Sequence, residues 1–263
     1  MPKIRANGID VYYEVYGAGE PLMLIMGLGA DCRQWAFVLP ALAQKYKVIV
    51  FDNRGAGQTD KPETPYSIPL FASDTAALLD ALDIDKAHIL GASMGGMIAQ
   101  ELAISHPERA QSLILACTFA KPDNMSRAIL TTWRMVAERL GPQGLVKTMF
   151  PWGFTADFYE NHAAELEMAE GLFLGNPQPL HAFLNQCDAC LNHDTTARLP
   201  QISVPTLVMV AREDILTPPR LANVLYQSIP GAKLAVLESG GHVFLAEAPD
   251  KAAAAILEFL GSL

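Results

Sequence analysis

Ala87-His88-Ile89-Leu90-Gly91-Ala92-Ser93-Met94-Gly95-Gly96-Met97-Ile98-Ala99-Gln100-Glu101-Leu102 sets an apolar run, a Gly-x-Ser-x-Gly pentapeptide and a helix-like stretch in immediate succession. The order reads as strand, sharp turn, helix. A serine at such a turn needs neighbours without side chains, because strand and helix approach closely on either side of it. Ser93 would then stand at a helix N-terminus. There the backbone N–H of Met94 and the positive end of the helix dipole can stabilise an oxyanion formed beside it.

Outward from this stretch the chain repeats one pattern. Pro21-Leu22-Met23-Leu24-Ile25-Met26, Lys47-Val48-Ile49-Val50-Phe51-Asp52 and Ser112-Leu113-Ile114-Leu115-Ala116-Cys117-Thr118 are apolar runs without alternation, as strands buried on both faces require. Helical periodicity separates them: a helix is expected from near Trp35 to Lys45, a second over Leu70 to Leu82 and a third over Gly96 to Ser105. Ile9 to Tyr16 instead alternates, and Ala6-Asn7-Gly8 marks a hairpin back to Lys3-Ile4-Arg5, so this end reads as an antiparallel edge. Alternating strands and helices with short connections indicate an α/β fold with a mostly parallel, doubly wound sheet.

The alternation stops at Phe119. Up to Leu199 the sequence offers only helical segments: Asn124 to Leu140, Gly144 to Phe150, Ala156 to Leu174 and Pro179 to Asn192, punctuated by Pro142, Pro151 and Pro177. Pro205 to Ala211 then restores the buried-strand pattern, followed by a helix from Pro218, a strand over Ala232 to Leu237 and a closing helix from Pro249 to Leu260. Residues 1–119 and 200–263 are therefore expected to form the core, with 120–199 a helical cap inserted after the sixth strand. Trp133, Phe150, Trp152, Phe154, Phe158, Phe173 and Phe183 belong to this insertion, and a subset of them is expected to face a pocket.

A formal net charge of −9 over 263 residues offers no basic face for nucleic acid or anionic lipid. No apolar run approaches the ~18 residues of a membrane span, and the first residues lack a secretory apolar region. The chain reads as soluble and cytoplasmic. Its four cysteines are too few and scattered for a disulfide framework. Cys187-Asp188-Ala189-Cys190 falls in a helical stretch with no second ligand pair, so it reads as two small apolar side chains and no metal site is expected.

In a parallel sheet the C-terminal strand ends share one edge, where ligands bind. Ser93, Asp214 and His242 each follow such an end. A serine hydroxyl is a weak nucleophile near neutral pH, so His242 would take its proton while a buried Asp214 orients and stabilises the imidazole. Glu213 is the rival acid, but it still alternates with the strand. Gly240-Gly241 gives the histidine loop room. Acyl transfer needs a second oxyanion donor, and the glycine-flanked Leu28 is placed to supply its N–H, such a donor being worth ~3 kcal/mol of barrier. Arg54 reads as fastened among loop carboxylates, and Asp194 as a helix N-cap.

With Met26-Gly27-Leu28-Gly29-Ala30-Asp31 and Trp35, Asp52-Asn53-Arg54-Gly55-Ala56-Gly57-Gln58-Thr59-Asp60, Gly91 to Met97, Asp214, and Gly241-His242 with Glu247-Ala248-Pro249, the chain resembles the α/β-hydrolase fold superfamily. Within it, the sequence is similar to the carboxylesterase and 3-oxoadipate enol-lactonase-like branch. The resemblance implies Ser93 as nucleophile, Asp214 as acid, His242 as base, Leu28 and Met94 as oxyanion donors, no cofactor, and hydrolysis of small esters or lactones. Met26 stands where many relatives carry histidine. Two other functions use the same residues: a ligand receptor with vestigial hydrolysis, and an acyltransferase or perhydrolase.

Overall fold

Apolar runs without alternation must be covered on both sides, and the five in this chain form five of the six inner strands of a single eight-stranded sheet. The structure is a computed structural model and describes residues 2–263. Its strands are β1 Lys3–Ala6, β2 Ile9–Tyr16, β3 Pro21–Ile25, β4 Lys47–Phe51, β5 Ala87–Ala92, β6 Ala110–Ala116, β7 Thr206–Ala211 and β8 Lys233–Leu237. The helices are α1 Leu39–Leu42, α2 Ile68–Ala81, α3 Met94–Ser105, α4 Asn124–Gly153, α5 Ala156–Asn161, α6 Ala163–Gly175, α7 Leu180–Leu191, α8 Pro219–Ser228, α9 Phe244–Glu247 and α10 Pro249–Leu260.

The strand order is β1-β2-β4-β3-β5-β6-β7-β8. β1, β2 and β4 pair antiparallel, and every pairing from β4 to β8 is parallel. After β3 the chain moves outward to β4 and then returns to lay β5 on the other side of β3. Loops leaving β3 and β5 therefore diverge to opposite faces, and a crevice opens between them at the topological switch point. One apolar layer under the sheet involves α2, α3 and α8 together with residues of α4 and α7. The opposite layer is formed with α1, α9 and α10, around the fully buried Trp35.

Several boundaries differ from the sequence expectation, each for a local reason. The helix expected from Trp35 to Lys45 is a 3-10 segment, Cys32–Phe37, followed by the single turn α1 with Pro40 in its first turn. β6 ends at Ala116, because Cys117 takes a left-handed φ of 42°. The break expected between Asn124 to Leu140 and Gly144 to Phe150 is present inside α4, where Gly141 leaves the helical region with φ 64° and ψ −161°, and the second segment runs on to Gly153. A residue before proline is driven out of the helical region, and Pro142 then opens the resumed helix as proline permits. Conversely, Ala156 to Leu174 divides at His162 into α5 and α6. Asp194 caps a turn by accepting from the Thr196 N–H and does not open a helix.

The helices α4 to α7 lie between β6 and β7. They are anchored unevenly. Gln178 Nε2 and Asn185 Nδ2 donate to the carbonyls of Gly55 and Thr64, and His181 Nε2 meets the Lys61 carbonyl at 3.0 Å, so the α7 side is stapled to the loops around β4. On α6 only Leu166 is buried, while Met168 and Leu172 are more than half exposed.

Candidate active site

Ile25 of β3 pairs with Gly91 of β5, so the loop after β3 and the turn after β5 leave the sheet at one level. Ser93 occupies that turn with φ 56° and ψ −119°. A non-glycine residue in this region costs ~1–3 kcal/mol and persists only when its surroundings over-determine it. Here they do. The Ser93 N–H donates to Ala116 O at 2.9 Å, and Thr118 Oγ1 donates to Ser93 O at 2.7 Å. A Cβ at Gly91 would lie 2.2 Å from Gly95 O, and one at Gly95 would lie 1.9 Å from Ile25 O. Both glycines are therefore required by the close approach of strand, loop and helix. α3 starts directly after Ser93, two residues before the expected Gly96, so the serine sits at the N-cap position.

Asp214 lies three residues past β7 and is almost wholly buried. Its Oδ1 accepts from the N–H groups of Leu216 and Thr217, at 2.9 and 2.8 Å. Its Oδ2 accepts from Thr217 Oγ1 at 2.7 Å and faces His242 Nδ1 at 3.1 Å. Burial alone would raise the carboxyl's pKa. The charge of His242 and the bonds from His242 and Thr217 outweigh it and hold Asp214 below the ordinary carboxylate value. An ionised carboxylate can only accept, so in the neutral ring Nδ1 carries the imidazole proton and Nε2 is left as an acceptor. Nε2 lies 3.0 Å from Ser93 Oγ. The three residues singled out from sequence thus form one continuous hydrogen-bonded chain, and Glu213 takes no part in it.

His242 is held by its loop. The Val243 N–H donates to Gly153 O at 3.1 Å, and Glu247 Oε2 accepts from the Gly241 N–H at 2.6 Å. Glu247 Oε1 also accepts from the Thr155 N–H at 2.8 Å, which ties the histidine loop to the start of α5. Burial pushes the Glu247 carboxyl up, against the opposing pull of the Thr155 and Gly241 N–H groups.

The loop Met26–Asp31 closes the other side, near enough that a Cβ on Gly27 would lie 3.0 Å from Ser93 Cβ. Leu28 lines the same cavity as Ser93. Met94 is the first residue of α3, where an N–H group has no acceptor in a preceding turn of the helix. Leu28 thus shares the cavity with the serine, and Met94 follows the serine directly in the chain.

A cavity of about 500 Å³ opens on Ser93 and His242. Of the insertion's aromatics, Trp133, Phe150, Phe154 and Phe173 line it. Phe158 instead stacks on Phe154 and His162, and Phe183 is buried in the core. The charged groups on its wall are Asp31, Arg33 and Glu165, and Arg33 is forked onto both oxygens of Asp31. Arg54 pairs in a buried fork with Asp74 of α2, and not with a loop carboxylate as expected.

Among the described residues, no three His, Cys, Asp or Glu side chains are placed to hold a metal ion. Cys187 and Cys190 are free and buried one turn apart on α7, and burial pushes the Cys187 thiol up to about 12. His88 bonds Ser112, and His193 is buried beside Thr195. Sequence reading missed Thr217, whose hydroxyl touches both Asp214 and His242. The signal was an Asp-x-x-Thr spacing ahead of a proline-initiated helix, the pattern of a side-chain cap.

A family model described as alpha/beta hydrolase fold matches residues 20–249. The curated protein "Putative carbamate hydrolase RutD" of Azorhizobium caulinodans is 32% identical over 263 residues, covering 100% of this chain and 99% of its own. The enol-lactonase from Burkholderia xenovorans LB400 superposes with a TM-score of 0.93 at 28% identity, covering 99% of this chain and 100% of that one. A thermophilic esterase from Thermogutta terrifontis gives 0.90 at 28% identity, with 99% and 98% covered.

Proposed function

The chain belongs to the α/β-hydrolase fold family, and from that premise we propose that it is a serine hydrolase of small, uncharged carboxylic esters or lactones. The observation that carries this reading is the unbroken relay Asp214–His242–Ser93, with 3.1 and 3.0 Å between successive partners. His242 Nε2 takes the proton as Ser93 Oγ attacks the carbonyl carbon, and the N–H groups of Leu28 and Met94 receive the charge that develops on the carbonyl oxygen. His242 then returns the proton to the leaving alkoxide, which departs as the acyl-enzyme forms. A water deprotonated by His242 attacks that ester, and collapse releases the acid and Ser93.

In this reading residues 120–199 act as a cap whose aromatics receive the organic part of the substrate. Lys and Arg number six in 121–198 against nine Asp and Glu, and the one arginine on the cavity wall is already paired with Asp31. A substrate carrying its own carboxylate therefore finds no free cation there. A second reading, cleavage of a carbamate, is favoured by the similarity to the Azorhizobium protein. It would use the same attack and differ in the group expelled.

The test is steady-state hydrolysis of p-nitrophenyl esters of increasing acyl length, alongside simple lactones and an aryl carbamate, by the native protein and Ser93→Ala. Turnover of the esters that is lost in Ser93→Ala is expected. Undiminished turnover in that variant, or a native protein that cleaves only the carbamate, would overturn the ester and lactone reading.

A further inference from the structure

Leu28 can serve as an oxyanion donor only if its peptide plane is held still, and its own sequence does little to hold it. Gly27 and Gly29 flank it, and Gly29 adopts a left-handed φ of 72°. Backbone of this kind has wide conformational freedom unless something outside the loop restrains it. A weak turn bond, Ala30 N–H to Gly27 O at 3.4 Å, lies within the loop. Asn53 Nδ2 donates to Met26 O at 2.8 Å and fixes the loop's entry from the sheet side.

The exit is fixed from the insertion. Gln186 of α7 is completely buried, and its Oε1 accepts from the Gly29 N–H at 3.0 Å across 157 residues of sequence. Its Nε2 donates to Arg54 O at 3.0 Å. An N–H can only donate and a carbonyl can only accept, so these partners leave the amide a single orientation. Gln186 does not line the cavity and cannot touch a substrate there.

We propose that Gln186 is the positioning residue of the oxyanion loop, so that the helical insertion sets the Leu28 N–H against the transition state as well as covering the substrate. The inference rests on the serine-hydrolase reading above. An oxyanion donor matters mainly in the transition state, so its displacement lowers kcat and leaves KM nearly unchanged. A misplacement on the order of 1 Å costs roughly a hundredfold in rate.

The experiment compares native protein, Gln186→Met, Gln186→Glu and Asn185→Ala on a p-nitrophenyl ester, and measures inhibition by an alkyl boronic acid that mimics the tetrahedral state. Gln186→Met keeps the volume and removes both bonds. It should lose roughly tenfold to a hundredfold in kcat, with a parallel loss of boronate affinity and little change in KM. Asn185→Ala, which breaks a neighbouring staple to Thr64 O, should keep native kcat.

Gln186→Glu guards against a Met variant that fails to fold. Burial raises the pKa of the introduced carboxyl, and its protonated form can accept from Gly29 and donate to Arg54 as the amide does. That variant should approach native kcat at mildly acidic pH and lose activity as the carboxyl ionises, a limb absent from the native profile. Unchanged kcat and boronate affinity in Gln186→Met would overturn the proposal, as would a Gln186→Glu profile parallel to the native one. If Ser93→Ala still turns over, it is the serine-hydrolase reading that fails.

Discussion

Thr217 bridges Asp214 and His242, the two groups that in the proposed mechanism cooperate before Ser93 attacks. Its hydroxyl donates to Asp214 Oδ2 and lies 3.1 Å from His242 Nδ1. A hydrogen bond to a charged group is worth about 1.5–3 kcal/mol. Thr217→Val should therefore lower kcat by about tenfold or more, and Thr217→Ser should restore most of it; equal activity in Val and native proteins would contradict this. Another residue contributes to acid stability. Burial lowers the His193 pKa from 6.5 to about 4, against the pull of Glu101. A group held neutral in the fold contributes stability that is present above its unfolded pKa and lost as pH falls through its folded value. The window runs from 6.5 down to about 4. Denaturant unfolding across it should show a decline on the order of 3 kcal/mol, which His193→Gln should flatten. An identical slope in both proteins would sink the assignment.

Elements were legible in the sequence wherever burial is two-sided, because an inner strand of a parallel sheet has few polar positions to confuse its reading. β3 to β7 follow this rule. The Ser93 turn was legible for a different reason: glycines at 91 and 95 are demanded by contacts with Gly95 O and Ile25 O, so geometry writes itself into residue type. Not every helix boundary in the insertion was legible, since some depend on single dihedral choices. The break before Pro142 was legible and falls at Gly141, whereas His162 divides what apolar periodicity joins. Partners distant in sequence were hidden too, as Arg54 shows by pairing with Asp74 of α2. That buried fork supplies an element-scale prediction. Arg54→Met should destabilise the fold by about 3–5 kcal/mol by leaving the Asp74 carboxylate unpaired, and Arg54→Met with Asp74→Leu should recover most of the loss. Denaturant midpoints would decide it, and a single variant as stable as native would contradict the pairing's role.

At the scale of the molecule, the sheet edge gathers Ser93, Asp214 and His242 from three strand ends, and the insertion between β6 and β7 supplies part of the cavity wall. No helix among the described residues is long and apolar enough to cross a membrane. The net charge of −9 acts on substrates before they enter. An anionic ester should be turned over with a lower kcat/KM than its neutral isostere, and added salt should narrow the gap by screening charges beyond about 10 Å. A ratio independent of ionic strength would mean that cavity contacts alone discriminate. The sequence named the three relay residues because each follows a strand end. It was silent on Gln186 and Thr217, whose roles exist only once separate loops meet.

The most direct measurement is covalent trapping: native protein treated with an alkyl fluorophosphonate, then intact mass and peptide mapping. One adduct per chain, on the peptide containing Ser93 and suppressed in His242→Ala, is the result predicted by attack from a hydroxyl that His242 deprotonates. No adduct, or an adduct on another residue with Ser93 unmodified, would contradict the assignment of Ser93 as the nucleophile.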